Sequence, residues 1–238
     1  MFYGFVSLLT RFLLLLLTDC HVSGVEHVPR EGPLIVVSSH QSNVDPPLVG
    51  TLVRRRLRFV AKEELFHVPV FGLFVRWYDA IPLRRGGSDR RALRQVLDTL
   101  ANGGAIGMFP EGHRSRNCQL QPGQPGTALI ALRSRAPIVP VAIVGSRYAV
   151  RHLWRRPRIE VRIGPAFRVE LIRPSPSRED LERLTDEIML RVAALLPEEL
   201  RGWYRGHQAP DSVGRGTGSV VDLGRGLAAA CDEEALPL

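Results

Sequence analysis

Short apolar runs alternate with stretches of helical periodicity between Gly32 and Ile163. The runs Leu34–Ser38 and Ile138–Val144 consist mainly of Val, Ile and Leu, which is typical of strands buried on both faces. This alternation of strands and helices predicts an α/β domain, in three layers, around a central and mostly parallel sheet. Further strands are predicted over residues 58–61, 80–83, 105–109 and 158–163. Helices are predicted from residue 45 and over residues 63–78, with an interruption at Pro69, and over residues 88–100, 126–134 and 180–195.

The starts of two helices have recognisable capping residues. Asp45 is followed by Pro46 and Pro47, the order expected of a capping side chain with proline in the first turn. Ser88 precedes a stretch with apolar residues at helical spacing, and its hydroxyl is predicted to cap that helix.

The amino-terminal segment, residues 1–18, is rich in Leu and Phe. As a helix it would be about 27 Å long, slightly shorter than the roughly 30 Å hydrocarbon core of a bilayer. Its polar residues Gly4, Ser7, Arg11 and Thr18 fall on one narrow stripe. We therefore predict that residues 1–20 form an apolar, membrane-associating helix, which either lies in the membrane surface or crosses it. A helix buried against the domain is the alternative.

Composition divides the remainder of the chain into two parts. Residues 21–205 carry the predicted strands and helices, and their length suffices for one sizeable core. Residues 206–238 are rich in Gly, Pro and Ser, which predicts a flexible carboxyl-terminal tail.

Charge favours an anionic partner. Lys and Arg number 32 against 24 for Asp and Glu, a net charge of +8, and Lys62 is the only lysine. Arginine suits planar contacts with phosphates and carboxylates. A nucleic acid, an anionic bilayer and a phosphorylated small molecule all fit this balance. The arginines are spread along the chain, aromatic residues make up 7%, and no nucleic-acid-binding motif is present, so we expect no nucleic acid as a partner.

Polar clusters follow three of the predicted strands, over residues 38–45, 84–87 and 110–116. The carboxyl ends of parallel strands meet at one edge of a sheet, where ligands bind in α/β folds. Within the first cluster, a turn can bring the Asp45 carboxylate back to the His40 imidazole. An aspartate on Nδ1 fixes the tautomer and leaves Nε2 as a general base. Since no G-x-S-x-G motif supplies a serine nucleophile, the substrate is expected to bring the hydroxyl itself.

The other two clusters supply candidate anion-binding groups. Arg85 lies beside a Gly-rich turn, and a charge-assisted contact from it to an anion is worth about 1.5–3 kcal/mol. Glu111 is expected either to take part in substrate binding or to hold Arg114 or Arg85 in place. Cys118, in the polar loop that follows, is an alternative nucleophile for thiol catalysis.

Four motifs resemble one family in order and spacing: HQSNVD, IPLRR, FPEGHRSR and IVPVAI. They are similar to those of the glycerolipid acyltransferases, which include the 1-acyl-glycerol-3-phosphate (lysophosphatidate) acyltransferases. The resemblance covers roughly residues 24–168. It implies the α/β domain of that family, here an acyltransferase domain over residues 21–205 behind a membrane-binding segment.

The resemblance also implies roles for individual residues. His40 is the general base and Asp45 is its partner. Arg85 is the phosphate-binding arginine of the second motif, and Arg114 and Lys62 are further basic groups near the phosphate. The remaining implied positions are Glu111 and Gly112, which help to bind the glycerol phosphate, and Phe109, Pro110 and Pro140, which contribute to acyl-donor binding or to the shape of the site.

By this resemblance the protein transfers a fatty acyl group to the free hydroxyl of 1-acyl-glycerol-3-phosphate and forms phosphatidic acid for phospholipid biosynthesis. The donor is acyl-CoA or acyl-carrier protein as a co-substrate, with no cofactor and no metal. The protein is expected at the cytoplasmic face of the membrane, peripheral or monotopic, on an anionic lipid surface. His113, Arg84 and Gln121 depart from the commonest residues of the family, so a different lysolipid acceptor, such as an amino-acid-headed one, stays open. A non-catalytic basic module that binds membrane or nucleic acid is the alternative of another class.

Overall fold

A computed structural model describes residues 2–69, 71–84, 89–171 and 175–207. Seven strands form one sheet in the order β1-β7-β6-β2-β5-β3-β4. Five neighbouring strands, from β6 to β4, are parallel, whereas β7 runs antiparallel to β6 and pairs in parallel with β1. The predicted central, mostly parallel sheet is therefore confirmed. The strands are β1 Asp19–Ser23, β2 Leu34–Ser38, β3 Leu57–Lys62, β4 Ile81–Leu83, β5 Ala105–Met108, β6 Ile138–Val144 and β7 Arg158–Ile163.

Helices cover both faces of the sheet, and the α/β layering predicted from the sequence is confirmed. Alternate side chains of β2 enter different cores, because successive residues of a strand point to opposite faces. Ile35 and Val37 pack in the core under α4, α5 and α7, while Leu34 and Val36 pack in the core under α1 and α2. The helices are α1 Phe2–Leu17, α2 Asp45–Leu52, α3 Phe71–Trp77, α4 Arg90–Ala101, α5 Gly126–Ser134, α6 Ser146–Arg151 and α7 Arg178–Ala194. Short 3₁₀ segments lie at Val25–His27, Glu63–His67, Leu153–Arg155, Glu198–Leu200 and Gly202–Tyr204.

Several predicted elements differ from the structure at identifiable residues. The helical stretch predicted over residues 63–78, with an interruption at Pro69, is divided there in the structure: a 3₁₀ segment ends at His67, and α3 begins at Phe71. Proline lacks the N–H that a continuous helix needs and disfavours helical backbone in the residue before it. The cap of α4 is Asp89 rather than Ser88, since Asp89 Oδ1 accepts hydrogen bonds from the Arg91 and Ala92 amides. Ser88 lies outside the described residues.

The amino-terminal helix docks on the domain with one side only. Val6 is buried, and Thr10 Oγ1 lies 3.5 Å from Tyr78 Oη. The opposite side of the helix is solvent-exposed and apolar, with the Arg11 side chain exposed at its margin. Among the described residues, no helix is both long enough and apolar enough to cross a membrane. The exposed apolar residues are Leu8, Leu9, Phe12, Leu13 and Leu16.

The predicted boundaries at residues 20 and 205 stay predictions. Residues 208–238, which include nearly all of the predicted tail, lie outside the described residues.

Candidate active site

His40 and Asp45 meet in the loop that leaves the carboxyl end of β2. His40 Nδ1 lies 3.0 Å from Asp45 Oδ2, and the same oxygen accepts hydrogen bonds from the amides of Gln41 and Ser42 at 2.6 Å each. The Asp45 side chain is fully buried, whereas the His40 side chain is 16% exposed. With Nδ1 facing the carboxylate, Nε2 is the ring nitrogen left to accept a proton.

The carboxylate of Asp45 turns back to this loop and does not cap its own helix. Helix α2 begins at Asp45, its N-cap residue is Val44, and no side chain makes a capping hydrogen bond there. The predicted capping role was therefore wrong in the structure. The two neighbouring prolines still fit the start of the helix, because proline in the first turn leaves no needed N–H unpaired.

Ser39 determines where β2 ends. Its amide still donates to the Val141 carbonyl on β6, at 3.3 Å. Its hydroxyl oxygen, however, accepts a hydrogen bond from the Ile143 amide at 3.1 Å. The side chain thus replaces the main-chain carbonyl that a longer strand would offer, so the chain can turn away at His40 without leaving a buried N–H unpaired.

Glu111 joins the loop after β5 to the loop after β2. Its Oε1 accepts a hydrogen bond from the His40 amide at 2.8 Å, and its Oε2 accepts one from the Gln121 amide at 2.9 Å. The residue is only 2% exposed. Burial raises the pKa of the Glu111 carboxyl to about 7, and the nearby charge of Asp45 raises it further, although the two main-chain donors act in the opposite direction.

Sequence reasoning did not find this role of Glu111. Its partners are main-chain amides 71 and 10 positions away, and no residue type marks them. The only signal in the sequence is a carboxylate that stands three residues after a buried strand and directly before a glycine.

Two further hydrogen bonds and a ring contact lock the two loops together. The Ser115 amide donates to the His40 carbonyl at 2.8 Å, and Gln41 Nε2 donates to the Cys118 carbonyl at 3.1 Å. The His40 and Phe109 rings stack with centroids 4.2 Å apart. Three contacts therefore hold His40 in place: the stacking of its ring on Phe109, the hydrogen bond of its carbonyl and the hydrogen bond to Asp45.

The glycine after Glu111 gives the loop its turn. Gly112 has φ +70°, a backbone conformation that favours glycine, and its amide donates to the Phe109 carbonyl at 3.0 Å. The turn directs Glu111 into the protein and leaves Arg114 exposed. Pro110 is buried beside it, and its carbonyl accepts a hydrogen bond from the Gln124 amide at 2.8 Å.

Two of the predicted basic residues, Lys62 and Arg114, lie at the same edge of the sheet. Lys62 is the last residue of β3, and Arg114 follows β5. Within the described parts of the chain, neither side chain takes part in an ion pair. Arg84 follows β4, and its Nε lies 3.0 Å from Glu63 Oε2. Arg85 lies outside the described residues, so its predicted phosphate-binding role stays a prediction.

Pro140 lies within β6, opposite Val37 of β2, and its ring packs closely against Gly164. A Cβ atom at Gly164 would approach Pro140 Cγ to 2.9 Å, so a larger residue does not fit there. In the structure Pro140 is part of the buried sheet that supports the site. Its predicted contribution to donor binding or site shape stays a prediction.

Two other observations concern the alternative thiol nucleophile and metal ligands. Cys118 is 3% exposed, so an acyl donor does not reach its sulfur. In the chain as far as it is described, no three His, Cys, Asp or Glu residues are grouped as metal ligands. The expectation that the reaction needs no metal or cofactor stays a prediction.

A cavity of about 410 Å³ lies at the opposite, amino edge of the sheet, and its arginines are already occupied. Arg58 Nη1 donates to Thr99 Oγ1 at 2.8 Å, and its Nε donates to the Asp79 carbonyl at 3.0 Å. The Arg55 guanidinium donates to the carbonyls of Pro29 and Gly32 at 2.7 and 2.8 Å. These contacts fasten loops together, so we place the functional site at the carboxyl edge.

Comparisons with known proteins identify the family of this chain. A family model described as acyltransferase matches residues 19–144. The 1-acyl-sn-glycerol-3-phosphate acyltransferase of Bacillus subtilis (strain 168) is 25% identical over 194 residues, which are 81% of this chain and 96% of the relative. The chloroplastic 1-acyl-sn-glycerol-3-phosphate acyltransferase BAT2 of Brassica napus is 30% identical over 130 residues, 52% of this chain but only 37% of the plant protein.

A solved structure has the same fold. The crystal structure of the 1-acyl-sn-glycerophosphate (LPA) acyltransferase PlsC from Thermotoga maritima aligns with a TM-score of 0.63 and 26% identity, over 81% of this chain and 78% of that chain. The family match begins at β1, ends with β6 and includes both loops that hold His40 and Glu111. Because it covers more than half of the chain, the protein belongs to the acyltransferase family of enzymes.

Proposed function

We propose that this enzyme transfers a fatty acyl group from acyl-CoA or acyl-carrier protein to the free hydroxyl of 1-acyl-glycerol-3-phosphate, giving phosphatidic acid. The observation that carries the proposal is the His40–Asp45 pair, 3.0 Å apart at the edge of the sheet. The names of the Bacillus and Thermotoga relatives support the choice of acceptor.

The His40 side chain acts as the general base in this reaction. Its Nε2 takes the proton of the acceptor hydroxyl while the oxygen attacks the carbonyl carbon of the thioester. The new C–O bond forms, the C–S bond breaks, and the imidazolium returns the proton to the leaving thiolate. The Asp45 carboxylate stabilises the imidazolium between these steps and keeps the ring in one orientation.

Basic residues at the same edge hold the phosphate of the acceptor. The parallel strands that end there are spaced about 4.8 Å apart, so the ends of β2, β5 and β3 span roughly 10 Å. Lys62, Arg85 and Arg114 are the proposed phosphate ligands. Glu111 is the proposed positioning residue for His40, because both of its oxygens accept from main-chain amides and it is almost fully buried.

We propose that the amino-terminal helix holds the enzyme at a lipid surface, and that this surface is the cytoplasmic face of the membrane. Helix α1 turns Ser7 and Thr10 toward the domain side and presents apolar side chains to the outside, namely Leu8, Leu9, Phe12, Leu13 and Leu16. A water-exposed helix normally has the reverse arrangement. Such a helix, with Arg11 at the margin of its apolar side, suits a position in the plane of the membrane interface.

An acyl-transfer assay tests the proposed reaction. We expect the protein to acylate 1-acyl-glycerol-3-phosphate with at least one of the two thioester donors, and to use the dephosphorylated lysolipid and amino-acid-headed lysolipids poorly. The His40→Ala variant should lose at least about 10²-fold in turnover, the lower end for a positioned base. His21→Ala is the matched control, because His21 is exposed on the edge strand β1 and should leave turnover unchanged. Turnover of His40→Ala within a few-fold of the wild type would contradict the assignment of the base.

A further inference from the structure

A tryptophan stands out on the surface beside the amino-terminal helix. The 3₁₀ segment Leu153–Arg155 follows α6, and within it Trp154 is 75% exposed and Leu153 is 37% exposed. Such exposure is unusual for a large apolar ring, and contiguous apolar patches of this kind mark interaction sites.

The exposed tryptophan is held in place by an aromatic stack. The His152 and Tyr148 rings stack with centroids 4.0 Å apart, and the Trp154 ring lies 5.6 Å from the His152 ring at an angle of 50°. His152 Nδ1 also lies 3.2 Å from the Tyr148 carbonyl oxygen. The aromatic stack therefore holds the Trp154 indole in an exposed position.

This segment adjoins the exposed apolar side of α1. Helix α1 packs against both the Leu153–Arg155 segment and α3. Both neighbours carry exposed apolar side chains, so exposed apolar residues are found on three elements that contact one another through α1. From α3 these are Leu73 and Trp77, at 49% and 39% exposure.

The charges around this surface fit a lipid bilayer with anionic headgroups. Arg155 is exposed directly after Trp154, and Arg11 is exposed at the margin of the α1 apolar side. Indole rings favour the membrane interface because they combine an apolar body with one polar N–H. Arginines near the interface are attracted to anionic lipids, by about fivefold in affinity for each charge.

We propose that the Leu153–Arg155 segment is a second membrane anchor, which inserts Trp154 at the headgroup level of an anionic bilayer beside α1. This inference rests on the proposed action at a membrane surface. This anchor is a second membrane contact, far along the chain from the amino-terminal helix. Together the two contacts determine how the domain is oriented on the bilayer.

Tryptophan fluorescence tests the insertion with the full-length protein. The Trp77→Phe/Trp203→Phe variant leaves Trp154 as the only tryptophan, and the Trp77→Phe/Trp154→Phe variant leaves Trp203. Trp203 is the matched control, since it is 67% exposed but lies beside Leu120, at the core under α4, α5 and α7. With vesicles of phosphatidylglycerol and brominated phosphatidylcholine, we expect a blue shift and quenching for Trp154 and neither for Trp203.

Vesicle sedimentation gives the size of the effect. Trp154→Ala should weaken binding to phosphatidylglycerol-containing vesicles about tenfold, whereas Trp203→Ala should stay within twofold of the wild type. Arg155→Glu changes the charge by two units and should weaken binding to these vesicles about 30-fold, with no effect on neutral phosphatidylcholine vesicles.

The outcomes separate this proposal from the proposed reaction. The anchor proposal would be overturned if Trp154 were not quenched in a protein that still binds vesicles. It would also be overturned if the wild type bound no vesicles. If Trp154→Ala instead shifts a lipid-free dimer to monomer, the surface is covered by a second copy and the membrane role is wrong. Acyl transfer to a short-chain, water-soluble acceptor should be unchanged in Trp154→Ala. Absence of acyl transfer in the wild type would refute the reaction but leave a quenched Trp154 as support for the anchor.

Discussion

The two edges of the parallel strands use the same residue type in different ways. At the amino edge, the guanidinium groups of Arg55 and Arg58 donate to main-chain carbonyls, to Thr99 and to Asp79. At the carboxyl edge, the exposed Arg114 has no ion-pair partner in the described parts of the chain. The count of 32 Lys and Arg residues therefore overstates how many basic side chains are available to a substrate. The arginines proposed to bind the acceptor phosphate are therefore those without such contacts within the fold.

Among these predictions, we expect the largest change in the free energy of unfolding from the buried Glu111 at the carboxyl edge. The pKa of Glu111 is raised from 4.5 to about 7 in the folded protein, so the native state holds its proton more tightly than the unfolded chain. The resulting stabilisation is complete below about pH 4.5, declines as pH rises and is lost above about pH 7. A shift of this size corresponds to about 3 kcal/mol in the free energy of unfolding.

The Glu111→Gln variant removes this titration. Urea unfolding at pH 5, 6, 7 and 8 should show the wild type losing stability relative to the variant as pH rises toward 7. The side-chain oxygen of glutamine can accept a hydrogen bond, but its NH₂ group cannot. One of the two main-chain donors, the amide of His40 or of Gln121, therefore loses its partner. For this reason the variant should also have a lower kcat. Parallel stability curves for the two proteins would show that Glu111 does not titrate in this range.

At the amino edge, Arg58→Ala should destabilise the fold without affecting acceptor binding. The Arg58 side chain is 28% exposed, and its removal leaves Thr99 without its charged donor and leaves Asp79 with the longer contact to Arg56, at 3.6 Å. We expect a loss of about 2 kcal/mol in the free energy of unfolding and an unchanged KM for the acceptor. Denaturant unfolding and steady-state kinetics measure the two quantities. A raised KM with unchanged stability would reverse the distinction between the edges.

At the carboxyl edge, Arg114→Ala should have the complementary effect. One lost charge-assisted contact corresponds to a rise of about tenfold in KM for a phosphorylated acceptor. Stability should change by less than about 0.5 kcal/mol, because the residue is exposed. Arg94→Ala, an exposed arginine on α4, is the control for general charge and should change neither quantity. An equal rise in KM for both variants would indicate a nonspecific effect of net charge.

Sequence patterns predicted the buried strands of this fold well. The structure has β2, β6, β7 and α5 within the predicted bounds, because long apolar runs and helical periodicity directly reflect burial. Strand β1 was not predicted, since its residues alternate between exposed and half-buried and it pairs only with β7. Its order comes from main-chain hydrogen bonding, which leaves no apolar run in the sequence.

The candidate site was predictable only where side chains meet side chains. The spacing of His40 and Asp45 in one turn anticipated their hydrogen bond. The amide ligands of Glu111 and the hydroxyl contact of Ser39 involve main-chain atoms of distant residues, so no residue identity announces them. The sequence likewise predicted that the Asp45 carboxylate caps its own helix, because main-chain donors cannot be recognised from residue types. In the structure, its Oδ2 instead contacts His40 Nδ1 and the amides of Gln41 and Ser42.

The hydroxyl of Ser39 has a consequence for how the base can vary during evolution. A single oxygen atom terminates the β2–β6 ladder one residue before His40, and thereby sets the height above the sheet at which the imidazole emerges. Threonine preserves that oxygen. Alanine or valine would leave the Ile143 amide without a hydrogen-bond acceptor and would favour extension of β2 by one residue. Substitution at this neighbouring position would therefore displace His40 without altering any atom of the histidine itself.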